Sequence, residues 1–137
     1  MATWRDELIE AVKTKAEREA EEQERLRKRI AEALAYAEKA LVEASGALRF
    51  ACDQVKSKKQ PAELVEGKDA FKLLVHDQSL AVELARDSAV IKVTFGEGKP
   101  REFDFAKDRH IAPNDVEEYV GRRSLELIRA AQKSNPW

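Results

Sequence analysis

The sequence predicts a two-layer α+β fold in which a long N-terminal helix, a four-stranded antiparallel meander and a C-terminal helix follow one another. Three observations predict it. Apolar residues recur every seven positions from Ile30 to Val55, as on one face of a helix. From Asp69 they alternate with polar residues in four short runs, and after Pro113 a helical period returns. Because a sheet that is apolar on one side must be covered there, we expect both helices on the same face.

The totals describe one small, highly charged domain. The 137 residues can bury a single core but not two independent cores of ordinary size. Charged residues make up 37% of the chain, with 25 Lys and Arg against 26 Asp and Glu, so the formal net charge is −1. This balance excludes the globally basic profile of a protein that binds nucleic acid by charge alone. It also leaves little repulsion between copies, so self-association is permitted.

A single helix is expected from Trp4 to about Lys58, a length of roughly 80 Å at about 1.5 Å per residue. Thr3 and Asp6 can satisfy the first free amides and mark its start. Gly46 is the weakest position, because a mid-helix glycine costs about 1 kcal/mol relative to alanine. The sevenfold repeat passes through Gly46 without a shift, so we expect the helix to continue there.

The N-terminal part of this helix offers little to a core. From residue 13 to residue 25 the apolar residues are Ala16 and Ala20, set among Glu, Lys, Arg and Gln. We therefore expect residues 1–29 to form a projecting or partner-pairing helical arm, and residues 30–137 to form a single α+β domain.

The core-facing stripe of the helix is about three positions wide in every seven, which suits a helix that lies on a sheet or bundle. The stripe consists of Ile30, Ala33, Leu34, Ala37, Ala40, Leu41, Ala44, Ala47, Leu48, Ala51 and Val55. Its small residues at positions 37, 44 and 51 would also admit a second helix. We expect a homodimer in which either this stripe or the N-terminal halves meet across a two-fold axis.

Four strands are predicted, over residues 70–76, 80–85, 89–95 and 101–106. The connectors between them are short, so neighbouring strands must be antiparallel. Alternate positions form one large apolar face, made of Phe71, Leu73, Val75, Leu80, Val82, Leu84, Ala89, Ile91, Val93, Phe95, Phe103 and Phe105. The preceding residues 61–67 are expected to make one helical turn before the chain is redirected at Gly67.

The last helix is predicted to be capped by Asn114, with Glu117 three residues later completing the cap, and to end at Ser134. Acidic residues stand near its start, and Arg129 and Lys133 stand near its end, which suits the helix dipole. Its apolar residues can face inward and complete the cover of the sheet.

No residue pattern predicts a catalytic, cofactor or metal site. His76 and His110 lack ligand types at metal-binding spacing and are expected to be ordinary surface histidines. Cys52 falls beside the apolar stripe and is expected to be a small buried residue. Glu102 and Asp104 share the polar sheet face, where solvation is a simpler role than carboxylate chemistry. We therefore expect a protein that is not an enzyme and holds no cofactor.

Partner-binding residues are predicted on the N-terminal arm. An exposed tryptophan is a good interface anchor, which favours the apolar side of the arm. The basic residues there are interleaved with glutamates that cancel their charge locally, which argues against nucleic acid as the partner. The predicted set is Trp4, Leu8, Val12, Arg25, Arg27, Lys28 and Arg29.

Three function classes remain. The leading one is a non-catalytic protein-interaction module, an adaptor, scaffold or chaperone-like protein with an unidentified protein partner, that self-associates through its long helix. The first alternative is a nucleic-acid-associated dimer that uses the basic clusters. The second is a small-molecule binder or enzyme with a pocket between sheet and helices, which requires a polar group buried in the apolar face. A lone cysteine, with neither a signal peptide nor a membrane-spanning run, indicates a cytoplasmic location.

Overall fold

The computed structural model describes residues 3–137 and shows an α+β fold with eight elements. In chain order these are α1 (Trp4–Ala11), α2 (Lys15–Ser57), β1 (Ala62–Glu66), β2 (Ala70–Val75), β3 (Gln78–Ala85), β4 (Val90–Phe95), β5 (Arg101–Asp104) and α3 (Pro113–Ser134). The five strands form one sheet in the order β1-β2-β3-β4-β5, with every neighbouring pair antiparallel. The predicted class, element order and meander are confirmed, but the sheet has five strands rather than four.

The additional strand, β1, lies where the sequence suggested a helical turn. Alanine and glutamate favour helices locally, but pairing with β2 decides the conformation of this segment. Leu64 lies opposite Leu73 in that pairing, and Ala62 lies opposite Val75. Both β1 residues are half-buried toward the core, while Glu63 points to the solvent side.

The predicted strand ends shift by one or two residues, and two of the shifts have a clear backbone cause. His76 has φ of 53° and Ala89 has φ of 55°, which is the left-handed region rather than the extended one. β2 therefore ends before His76, and β4 begins after Ala89.

The single long helix predicted from Trp4 is divided in two near Thr14. The Thr14 hydroxyl accepts a hydrogen bond from the Glu17 amide at 3.2 Å and caps α2. Lys13 Nζ lies 2.7 Å from a carboxylate oxygen of Glu10 and 2.8 Å from one of Glu21, which joins the end of α1 to the first turns of α2. The helix does continue through Gly46, as expected.

Both helices cover the predicted apolar face of the sheet. Leu48 and Leu73 are fully buried where α2 meets the sheet, and Leu127 is fully buried on α3. In α2, burial begins at Ile30 and Ala33, while residues 3–29 are exposed except for the half-buried Lys13 and Glu21.

The alanine stripe of α2 is covered by the chain itself. Ala37 and Ala44 have no exposed surface, and Ala51 is 7% exposed. Ala37 and Ala44 therefore face the protein's own core and not a surface that a second helix can reach.

The last helix begins at Pro113, which is favoured in the first turn because its missing amide proton is not needed there. Its cap is Ala112, whose backbone amide donates to the Asp115 carboxylate at 2.8 Å, so the cap predicted at Asn114 is wrong by two residues. Ala112 and Pro113 lie beside Tyr36 of α2, so α3 starts next to the middle of α2.

Candidate functional site

The outer surface of the helix layer carries a groove between α2 and α3, with a volume of about 970 Å³. We call it the α2–α3 groove. Its apolar lining includes Ala47 and Phe50 from α2 and Leu125 and Ile128 from α3. It lies on the opposite side of the helices from the sheet, so the core of the protein does not use it.

Large apolar side chains are exposed around this groove. Phe50 is 67% exposed and Leu125 is 47% exposed, and both line the groove. Val42, two turns before Phe50 on α2, is 69% exposed but lies outside the groove, beside Glu38 and Arg86. A single exposed apolar residue is ordinary, but a cluster on one face of a small domain is typical of a protein interface. The groove is therefore the best candidate for a binding surface on this molecule.

Two glycines lie in the groove, each within a helix. A Cβ atom added to Gly46 or to Gly121 would meet no atom within 4 Å. Each glycine costs about 1 kcal/mol of helix stability relative to alanine, and packing within the chain gives no reason for it. At both positions the missing side chain allows a neighbouring helix to approach the groove closely.

Glu43 extends the groove toward the N-terminal side. One of its carboxylate oxygens, Oε2, is buried and has no hydrogen-bond partner in the described part of the chain. Arg49, two turns further along α2, bonds Glu66 through Nε at 2.6 Å while its side chain remains about half exposed. A buried acceptor without a donor is costly, so a cationic partner at this place would be favourable.

The predicted apolar partner residues lie on α1, away from this groove. Trp4 and Val12 are about 70% exposed and Leu8 is 56% exposed. Arg5 covers one face of the Trp4 ring, with Cζ 5.3 Å from the ring centre. No residue of α1 is buried, so the apolar side of α1 remains exposed to solvent.

The predicted basic residues of the arm divide into two groups. Arg25 is mostly exposed and pairs with Glu21 at 3.6 Å, and residues 27 and 28 are exposed as well. Arg29, by contrast, shares a shallow surface with Lys107, Arg109 and His110 from the segment after β5. The sequence separates these cations by almost eighty positions, and only the fold brings them together.

Cys52 is buried as predicted, whereas His76 is half-buried and not the ordinary surface histidine that was predicted. Cys52 is 3% exposed, and burial raises the pKa of its thiol, which disfavours the reactive thiolate. His76 Nε2 lies 3.1 Å from the Gln60 side-chain oxygen, and its ring lies 6.1 Å from the ring of Trp137. The half-buried His76, just after β2, therefore contacts both Trp137 and the segment between α2 and β1.

Lys92 lies between two acidic residues of the polar sheet face, while the Asp104 carboxylate accepts hydrogen bonds from the amides of Ala106 and Lys107. Lys92 lies opposite Glu83 on β3 and opposite Glu102 on β5, with Nζ 3.8 Å from a Glu102 oxygen. Such alternating charges stabilise an exposed sheet face. Within residues 3–137, no three His, Cys, Asp or Glu side chains are grouped so as to hold a metal ion.

The buried polar side chains of the described part of the chain serve their own helices. Ser45 donates to the carbonyl of Val42 at 2.8 Å, and Ser124 donates to that of Val120 at 2.8 Å. Both hydroxyls are thereby satisfied and do not point a free polar group into the core.

Comparison of the chain with protein-family models, curated proteins and solved structures finds no significant match. Over residues 3–137, neither α2 nor any other helix combines the length and the apolar character needed to cross a lipid bilayer.

Sequence reasoning missed the α2–α3 groove, although a signal for it exists. Val42 and Phe50 are large apolar residues eight positions apart that fall outside the core-facing rows of α2. Two such residues on the solvent side, with Gly46 midway between them, mark a second apolar strip on the same helix, of which Gly46 and Phe50 line the groove.

Proposed function

We propose that this protein is a non-catalytic protein-interaction module that self-associates through the outer face of its helices. The observation that carries the proposal is the pair of exposed apolar residues Phe50 and Leu125, which line the α2–α3 groove together with Gly46 and Gly121. Burying an aromatic side chain of this kind on a partner removes a large apolar area from water and is a common source of binding energy.

A small-molecule pocket is less well supported. A ligand site is concave and combines apolar walls with a few polar groups that fix orientation. The hydroxyls of Ser45 and Ser124, which are the buried polar side chains over residues 3–137, are already bonded to helix carbonyls. The α2–α3 groove is open and lies between two parallel ridges of side chains, a shape that suits another helix.

The proposal is tested by the mass of the protein in solution. We expect the full chain to be a dimer by light scattering at micromolar concentration, and Phe50→Asp to be a folded monomer, since an aspartate at an exposed position leaves the core intact. Leu8→Asp is the matched control, because Leu8 is exposed to a similar degree on α1. A shortened chain without residues 1–25 lacks α1 and therefore tests the N-terminal arm separately from the α2–α3 groove.

The outcomes distinguish the groove from the arm. If Leu8→Asp or the shortened chain becomes monomeric while Phe50→Asp stays dimeric, the N-terminal arm carries the association. If the unmodified chain is monomeric at all concentrations, the proposed self-association is wrong.

Nucleic-acid binding is a second candidate, favoured by the convergence of Arg29 with Lys107 and Arg109. Several cations on one surface are what phosphate binding requires, although Asp108 lies among them. This candidate predicts binding of a single-stranded or duplex oligonucleotide that weakens steeply with salt and is lost in Arg29→Ala with Arg109→Ala. The first candidate predicts no such binding at any salt concentration.

A further inference from the structure

We propose that a second copy of this chain occupies the α2–α3 groove in one particular orientation. The two α2 helices run antiparallel, the two-fold axis passes beside Gly46, and Phe50 of each copy enters the groove of the other. The inference rests on the proposed function, and it adds the direction and the register of the two helices. Both follow from the pattern of charges on the outer side of α2.

The charges on this side of α2 are self-complementary about Gly46. In an antiparallel pair centred on Gly46, a residue a given number of positions before Gly46 lies opposite the partner's residue the same number of positions after it. Lys39, seven positions before Gly46, therefore meets Asp53, seven positions after it. Both side chains are exposed, and within residues 3–137 neither forms an ion pair. The antiparallel dimer contains this Lys–Asp contact twice.

The charged residues closer to Gly46 are also self-complementary. Glu43 lies three positions before Gly46 and Arg49 three positions after it, so the two are brought to the same level across the axis. Among residues 3–137 the buried Oε2 of Glu43 has no donor, and the bond from Arg49 to Glu66 uses Nε, which leaves the terminal amino groups of Arg49 outside that bond. The partner's guanidinium is long enough to supply the missing donor.

The apolar residues follow the same two-fold relation. Val42 and Phe50 lie four positions before and after Gly46 and are both about two-thirds exposed. In the antiparallel pair each Phe50 is placed at the level of the partner's Val42, next to the position of Glu43, which lines the groove. At the centre the two Gly46 residues meet, and their lack of side chains allows the close approach that fills the groove.

A parallel pair in register has the opposite consequence. It places Lys39 against Lys39 and Asp53 against Asp53, and the charges at positions 43 and 49 are likewise paired with their own kind. Like charges at one level of a helix pair are unfavourable, so the surface selects the antiparallel arrangement.

The experiment reverses one charge at a time in the full chain and measures the dimer dissociation constant by sedimentation. Lys39→Asp places two carboxylates together at both ends of the contact, and Asp53→Lys places two ammonium groups together. We expect each single variant to dissociate about tenfold more readily at low salt. Lys39 and Asp53 lie about 21 Å apart along one helix, too far to compensate within a chain.

Two combinations make the register testable. The double variant Lys39→Asp with Asp53→Lys restores opposite charges across the axis, so its dissociation constant should return to that of the unmodified chain. A mixture of the two single variants should form a heterodimer in preference to either homodimer, because every contact between the two chains is then attractive. Lys99→Glu, in the exposed turn between β4 and β5, is the control and should leave the dimer unchanged.

The results separate this inference from the function on which it rests. If the unmodified chain is dimeric but the double variant dissociates as readily as the single ones, or the mixture forms no heterodimer, the register is wrong while self-association stands. If the single variants dimerise as tightly as the unmodified chain, α2 does not meet its counterpart at these positions. If the unmodified chain is monomeric, both the function and the register are wrong.

Discussion

Replacing Gly46 by alanine should have opposite effects on the folded monomer and on the dimer. Within the chain, a Cβ at this position meets nothing within 4 Å, so the substitution introduces no clash. It removes the conformational cost of a mid-helix glycine, which is about 1 kcal/mol. For a domain of this size, that gain raises the unfolding midpoint by about 3 °C. At the proposed two-fold axis, the added methyl groups separate the helices and weaken the dimer.

The stability effect is measured by thermal or urea unfolding in the Phe50→Asp background, which is expected to be monomeric, so that dissociation does not contribute to the midpoint. Gly96→Ala is the contrasting control, because its φ of +59° lies in the left-handed region and the variant should lose about 1 kcal/mol or more. A destabilised Gly46→Ala monomer would mean that α2 is not a regular helix there. A dimer as tight as before would mean that Gly46 is not at the contact.

Two further predictions concern the domain itself. Leu41→Asp should cost at least about 4 kcal/mol and abolish cooperative unfolding, because it places a charge in the core, where Leu41 is 5% exposed. Lys13→Glu should release α1 from α2 and leave the unfolding midpoint unchanged. Equal midpoints for the two variants in circular-dichroism melts would contradict the core assignment. The Arg86 guanidinium, which also bonds Glu38 at 2.6 Å, holds the pKa of the Asp69 carboxyl below its usual range. The stability that this pair contributes is therefore present above about pH 4 and is lost as the pH falls through the lowered pKa, so the difference in urea midpoint between the unmodified chain and Arg86→Ala should be larger at pH 7 than at pH 3. A difference that stays constant with pH would mean that ionised Asp69 does not stabilise the fold through Arg86.

The agreement between sequence and structure is closest where one face of an element is buried. The alternating pattern of β2 to β5 places Leu73, Leu80 and Ile91 on the same side because a shift by one residue would expose the whole apolar set. The rows of α2 are equally constrained, since Ala37 and Leu48 must both face the sheet. These positions could be predicted because only one orientation of each helix or strand buries its apolar residues.

The prediction fails where two local preferences compete. The segment from Ala62 to Glu66 has helix-favouring residues but lies next to an unpaired edge of β2, and the hydrogen bonds of that edge make it a strand. The break before Lys15 has a recognisable signature, since Thr14 and Glu17 stand at capping distance in the sequence. The preceding helical run masks it, because Lys13 and its neighbours favour helix as individual residues.

The sequence by itself determined the α+β class, the order of the elements and the face of each that is buried, because these depend on periods read along a single segment. Only the tertiary structure decided which apolar residues remain uncovered. Val42 and Phe50 stay outside because the sheet covers one side of α2 and α3 flanks it, and the width of that cover depends on how layers distant in sequence pack together. For the same reason the α2–α3 groove, and with it the proposed binding surface, exists only in the folded chain.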